Sequence, residues 1–125
     1  MVLTIAIIIG RTQLQASQDL ERLEQARAAV SDVANAATIV YSQGVGAQRK
    51  VFVKIPENVA AERVFIDGSI ANIGLYMGGG ISDVNAKAGA AMVGELPDKP
   101  GGYWILVTAK QGCVAVGQNT DAYAC

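Results

Sequence analysis

The first third of the chain places its apolar side chains at helical spacing. Between Thr12 and Ser42 it has neither proline nor glycine and is rich in good helix formers. Apolar residues there recur every three or four positions, which traces one stripe along a helix; they include Leu14, Leu20, Leu23, Ala26, Val30, Val33, Ala37 and Val40. Gly44 is a typical residue to follow a helix C-terminus. The pattern predicts one helix from about residue 2 to about residue 43, roughly 60 Å long at 1.5 Å per residue.

The predicted helix begins with an apolar run, Val2–Ile9, interrupted only by Thr4. The run is shorter than the roughly 20 apolar residues that cross a bilayer. It also lacks the basic flank and the small-residue cleavage site of a secretory signal. Arg11 follows, and two roles are open for it: snorkelling at a membrane edge, or pairing with a carboxylate or carbonyl of a neighbouring helix. We therefore expect an apolar tip on a longer helix.

After Gly44–Arg49 the spacing of apolar residues changes from helical to alternating. Turn residues separate the alternating segments, and Asp67-Gly68 is a strong hairpin signal. The predicted strands are Val51–Ile55, Arg63–Asp67, Ile70–Met77, Tyr103–Ala109 and Cys113–Val116. Residues 82–94 are small and favour a strand followed by a loop. The sequence thus predicts an α+β fold in which a long N-terminal α-helix (residues 1–44) precedes a small antiparallel β-sheet head domain (residues 45–125).

Composition narrows the function. The 125 residues suffice for one domain with an extended arm, and at 51% hydrophobic and 17% charged the chain is too apolar to be disordered. Ten basic against 11 acidic residues give a net charge of -1, which does not suit a nucleic-acid partner. The absence of histidine excludes Ser-His-Asp and Cys-His catalysis and most zinc sites. We expect a protein that is not an enzyme and needs no cofactor.

Three further groups of residues are candidates for a ligand site. Gly78–Gly80 lacks the Lys-Ser/Thr of a phosphate-binding loop, so a loop between strands is favoured. A calcium site would draw on Asp83, Asn85, Asp98 and Asp121, but their spacing does not support one. A sugar-binding platform would use Tyr76, Tyr103, Trp104 and Tyr123, but packing within a small sheet is favoured for them. No metal site is predicted.

The two cysteines, Cys113 and Cys125, are twelve positions apart at the C-terminal end. One interpretation is a disulfide that ties the tail to the last strand, contributing about 3 kcal/mol in the chain-entropy model. The other is a pair of unrelated buried thiols. We favour the disulfide, which would place the protein in an oxidising location or in a hyperthermophile.

Several segments resemble a known family. Gln18–Val30, Val33–Ala36 and Val40–Gly44 in the helix, and Arg49–Val59 after it, look like archaeal type IV pilins of the class III signal peptide group. The family's glutamate near the start of the helix has no counterpart, since the first acidic residue is Asp19.

The resemblance implies a secreted filament subunit, with its helix in the filament core and its β head on the surface. It also implies processing by a membrane peptidase, transient membrane insertion and assembly by an ATPase-driven machine. The residues expected to pack the helix core are Val2, Leu3, Ile5, Ile7, Ile8, Ile9, Leu14, Leu20, Leu23, Val30 and Val33.

Two functions remain in competition. The first is a structural one: copies bundle their helices, bury the apolar tips, and repeat a heterologous contact into an open filament that serves surface adhesion outside the cell. The alternative is a membrane-tethered or pseudopilin-like binding module whose β head does not polymerise. A monomeric head with a saturable ligand site would favour the alternative.

Overall fold

The computed structural model of the protein describes residues 20–125 with their side chains, and the helical backbone from residue 2. The helix α1 spans Val2–Gln43, 42 residues or about 63 Å. Gly44 follows it with φ 105°, a conformation that favours glycine, and its amide donates to the carbonyl of Val40 over 3.2 Å. The helix therefore ends where the sequence predicts.

Seven strands and a short 3-10 helix follow, and they confirm the α+β fold with a small β head. The strands are β1 (Gln48–Ile55), β2 (Val59–Asp67), β3 (Ile70–Met77), β4 (Gly80–Lys87), β5 (Met92–Gly94), β6 (Gly101–Lys110) and β7 (Cys113–Gly117). The 3-10 helix spans Thr120–Ala122.

The strands form two sheets instead of one. The larger has the order β1-β6-β7-β5, and the smaller is the antiparallel meander β2-β3-β4. Strand β5 runs parallel to β7, within the stretch 82–94 whose sequence was ambiguous. Gly94 allows this approach: its φ is 129°, and a Cβ there would overlap the carbonyl oxygen of Val116. The order of strands along the chain could not reveal this parallel pair.

The second half of α1 packs against both sheets. Ala26, Val30 and Val33 are fully buried and share one core cluster with Ile73 of β3 and Ile105 of β6. Helix and sheets thus form one core, although the sequence suggests a boundary at residue 44. The head includes the helix from Ala26 onward.

The C-terminal tail is fastened to the outer side of the larger sheet. A disulfide joins Cys113 to Cys125, with the two Cα atoms 5.8 Å apart, as the sequence predicts. The hydroxyls of Thr108 on β6 and Thr120 share a buried hydrogen bond of 2.8 Å. The tail covers β7 and the part of β6 at Thr108, and it leaves β1 and Trp104 of β6 open on that side.

Replacing both Cys113 and Cys125 with serine is expected to lower the free energy of unfolding by about 3 kcal/mol, because the unfolded chain regains the entropy of an open loop. Denaturant unfolding of the full chain in detergent, with and without a reducing agent, measures the difference. The reduced wild type should match the double variant. Equal midpoints for the oxidised wild type and the variant would contradict the prediction.

Candidate functional site

The described residues that were expected to pack a helix core fall into two groups. Val30 and Val33 are fully buried in the core of their own head. Leu23 is half-buried against the same cluster, whereas Leu20 is 57% exposed. The two valines thus have no surface left for another helix, and Leu20 presents most of its side chain outward.

The other expected core residues precede Leu20, and they lie outside the residues whose side chains are described. They are Val2, Leu3, Ile5, Ile7, Ile8, Ile9 and Leu14. The core role of these residues stays a prediction. Arg11 lies in the same stretch.

The side of α1 that faces away from the head is of mixed polarity. Its exposed residues include Leu20, Glu24, Arg27, Ala28, Asn35 and Ile39. Small and short side chains at Ala28 and Asn35 leave room for another helix to approach. This face is open to a neighbouring molecule along the described part of α1.

A second open surface lies on the outer side of β1 and β6. Phe52 and Trp104 are directly opposite in the strand register, with ring centroids 5.2 Å apart and ring planes at 58°. Their side chains are 45% and 63% exposed. Lys50 and Lys54 lie two residues before and after Phe52 and therefore on the same side of β1. We call Lys50, Phe52, Lys54 and Trp104 the aromatic surface.

Gly102 holds the aromatic surface in place. It pairs with Lys54 across the β1–β6 ladder, and a Cβ at this position would press into the ring of Phe52. The missing side chain lets the phenyl ring lie over the backbone of β6, next to Trp104. The two rings are thus held by the ladder and by each other, so they are preorganised for contact.

A third open surface lies at the turn between β3 and β4. Tyr76, Met77, Gly78–Gly80 and Ile81 line a hollow of about 400 Å³. Tyr76 and Ile81 are opposite in the register, and they are 52% and 44% exposed. We call these residues the hairpin hollow. The three glycines form the turn of a hairpin, as the sequence suggests.

An acidic group borders the hairpin hollow. The hydroxyl of Tyr76 donates to Oε1 of Glu62 on β2. This hydrogen bond is the main cause that lowers the pKa of Glu62 and raises the pKa of Tyr76. Glu62 therefore stays ionised at neutral pH beside the rim of the hollow.

The outer side of the smaller sheet carries an ionic cluster. The Arg63 guanidinium donates two hydrogen bonds to Asp83, of 2.8 and 3.1 Å, and Asn72 donates to the same carboxylate over 3.2 Å. Gly74 lies beneath, where a Cβ would collide with the Arg63 side chain. Asp83 is thus committed to an arginine, and residues 20–125 contain no group of three or more metal-ligating side chains.

Replacing Asp83 with asparagine is expected to weaken the acid sensitivity of the head. The Arg63 hydrogen bonds, with a smaller effect from Asn72, lower the pKa of Asp83 in the folded protein. The carboxylate therefore stabilises the fold above the pKa of an unfolded aspartate, and this contribution is lost as the pH falls through the lowered folded value. Thermal unfolding from about pH 5 to about pH 2 measures it. A variant whose midpoint falls as steeply as that of the wild type would contradict this role.

The structure brings only two of the four suggested sugar-platform aromatics together, since Tyr103 and Tyr123 line one hollow of about 450 Å³. Tyr103 faces the inner side and donates to the carbonyl of Pro100 over 3.3 Å, and Tyr123 packs against Gly117. Tyr76 belongs to the other sheet. Trp104 instead pairs with Phe52, which the sequence predicts only as part of a strand. Phe52 lies two residues from Lys50 and two from Lys54, and this spacing is the signal in the sequence that Phe52 faces outward.

A cleft of about 620 Å³ runs between α1 and the end of β1. Its walls carry charges of both signs: Glu21 and Arg22 from the helix, Lys54 and Glu57 from the head. Arg22 and Glu57 approach to 3.8 Å. The cleft is open to solvent.

Comparison with protein-family models, with curated proteins and with solved structures finds no match to this chain. Among the residues that the structure describes, no helix is long and apolar enough to cross a membrane.

Proposed function

We propose that this protein is the structural subunit of an extracellular, type IV-like pilus, assembled by bundling of its helices and serving surface adhesion. The observation that carries the proposal is the division of α1. The helix is 42 residues long, and along its described part the first buried residue is Ala26. The apolar run Val2–Ile9 begins about 36 Å before that point at 1.5 Å per residue. One end of the helix is thus packed in the head, and the apolar end is available to pack against the helices of other copies.

Assembly follows from the solubility of the two ends. The apolar run is more stable in lipid than in water before assembly, and it is buried among neighbouring helices afterwards. The heads would then cover the bundle. We infer as partners further copies of the chain and a membrane-bound assembly machine, with transient membrane insertion before assembly.

The disulfide between Cys113 and Cys125 supports a location outside the cytoplasm. Such bonds persist in oxidising compartments and are rare where glutathione keeps thiols reduced. It also ties Cys125 to the first residue of β7. A surface filament is exposed to oxidants and proteases, and a fastened tail suits that setting.

Electron microscopy of material sheared from the cell surface tests the proposal, together with N-terminal sequencing of the same gel band. Thin, uniform filaments composed of this polypeptide would support the pilus subunit. Discrete particles or membrane-bound monomers would contradict it and favour the alternative, a binding module that does not polymerise. The head's saturable binding of a ligand would then be the next measurement.

A further inference from the structure

Charge is distributed unevenly between the outer sides of the two sheets. On the outer side of the larger sheet, strands β1 and β6 carry three cations, Lys50, Lys54 and Lys110, and no carboxylate. Within residues 20–125 neither Lys50 nor Lys54 forms an ion pair. Within the described residues the smaller sheet pairs Arg63 with Asp83, whereas Glu62 beside the hairpin hollow forms no ion pair. A basic surface and a carboxylate without an ion pair therefore occur on the same chain.

The shapes of the two surfaces also differ. The aromatic surface projects, since Trp104 is the more exposed of two rings braced against each other. The hairpin hollow recedes between Tyr76, Ile81 and the glycine turn. Its volume of about 400 Å³ is within the range of about 300–1,000 Å³ that receives compact apolar groups. Protein interfaces commonly place a Trp or Tyr side chain in such a hollow and surround it with charged residues.

We propose that Trp104 of one copy inserts into the hairpin hollow of the next copy, with Lys50 and Lys54 facing that copy's Glu62. This inference rests on the proposed filament and names the contact between its heads. The two surfaces lie on different sheets of one head, so each copy offers both halves to two different neighbours. A projection and a recess at different places on one molecule make a heterologous contact, which propagates instead of closing on a dimer.

The glycines support both halves of the contact. Gly102 lets the Phe52 ring lie flat on β6 and brace Trp104. Gly78 and Gly79 have φ of 60° and 84°, so the turn needs residues without side chains, and this keeps the hollow open. Tyr76 is held by its hydrogen bond to Glu62. Little ordering is therefore required when two heads meet.

A cysteine pair tests the contact in assembled filaments of the full chain. Lys54→Cys combined with Glu62→Cys keeps Trp104 and every residue that lines the hollow, removes the hydrogen bond from Tyr76 to Glu62, and places one thiol on each half. After mild oxidation, a non-reducing gel should show a ladder of covalent multimers from the double variant and monomers from each single variant. Filaments of the double variant without a ladder would overturn the contact while leaving the pilus subunit standing. Dimers from Lys54→Cys alone would also overturn it, because they require a symmetric contact.

A charge exchange distinguishes two partners for Lys50 and Lys54: Glu62 of a second copy, or an anionic polymer. Lys54→Glu alone and Glu62→Lys alone should each reduce the yield of filaments about tenfold, because like charges then face each other. The double variant should recover most of the yield of filaments, since Glu at position 54 of one copy then faces Lys at position 62 of the next. A double variant as defective as Lys54→Glu would overturn the contact and favour the anionic polymer. If the wild type forms no filaments, the proposed function itself fails.

Discussion

Replacing Ile8 with aspartate is expected to abolish filaments while the head stays folded. Ile8 is the seventh of the eight residues of the apolar run, and a carboxylate within an apolar helix bundle costs at least about 2.5 kcal/mol per copy. The cost recurs in every subunit, so it accumulates along a polymer. The head should stay folded, because among the described residues of α1 the buried core begins at Ala26, with Leu23 packed beside it. Electron microscopy counts the filaments, and thermal unfolding of the chain in detergent reports on the head.

Ile8→Leu is the matched control, since it keeps the apolar character and nearly the volume of the side chain. It should assemble as the wild type does. Filaments of normal length from Ile8→Asp would contradict the helix-core hypothesis. Filament loss accompanied by a lower unfolding midpoint would show instead that this end of the helix belongs to the stability of the head.

Replacing Val33 with aspartate is expected to unfold the head. Val33 is fully buried between α1 and the sheets, in the same cluster as Ile73 and Ile105. A carboxylate there loses its water and gains no partner, and effects above about 4 kcal/mol arise from such buried charges. Since a whole domain is stable by only about 5–15 kcal/mol, most of the folded population would be lost. Circular dichroism and protease digestion of the full chain measure the loss.

Asn35→Asp supplies the comparison for Val33→Asp. It adds the same charge two residues later on an exposed position of the same helix, so its unfolding midpoint should stay close to that of the wild type. Equal destabilisation by both variants would mean that the charge on the helix, and not its burial, is responsible.

The sequence was sufficient for features that depend on local spacing. The helix and its end at Gln43 follow from the apolar stripe and Gly44, and the β2–β3 hairpin follows from Asp67-Gly68. The disulfide followed from the position of the two cysteines. Each of these features involves residues that are near one another in the chain.

The remaining features depend on partners far apart in sequence. Nothing in the spacing of β1 shows that its neighbour is β6, so the contact between Phe52 and Trp104 was not foreseen. The hydrogen bond between Glu62 and Tyr76 likewise joins strands through a bulge between Ala60 and Phe65. The split into two sheets has the same origin, since β1 pairs with the distant β6 and not with its chain neighbour β2.

The order of the strands also sets the order in which the head can form. The meander β2-β3-β4 joins consecutive strands and can pair as soon as Lys87 is available. Strand β1 must wait for β6, whose last residue is Lys110. Because local pairs form before distant ones, the helix face at Val30 and Val33 remains uncovered by the larger sheet until nearly the whole chain has been made. A chain cut short by translation or proteolysis before β6 thus leaves the apolar side of its helix exposed, which makes it prone to aggregation.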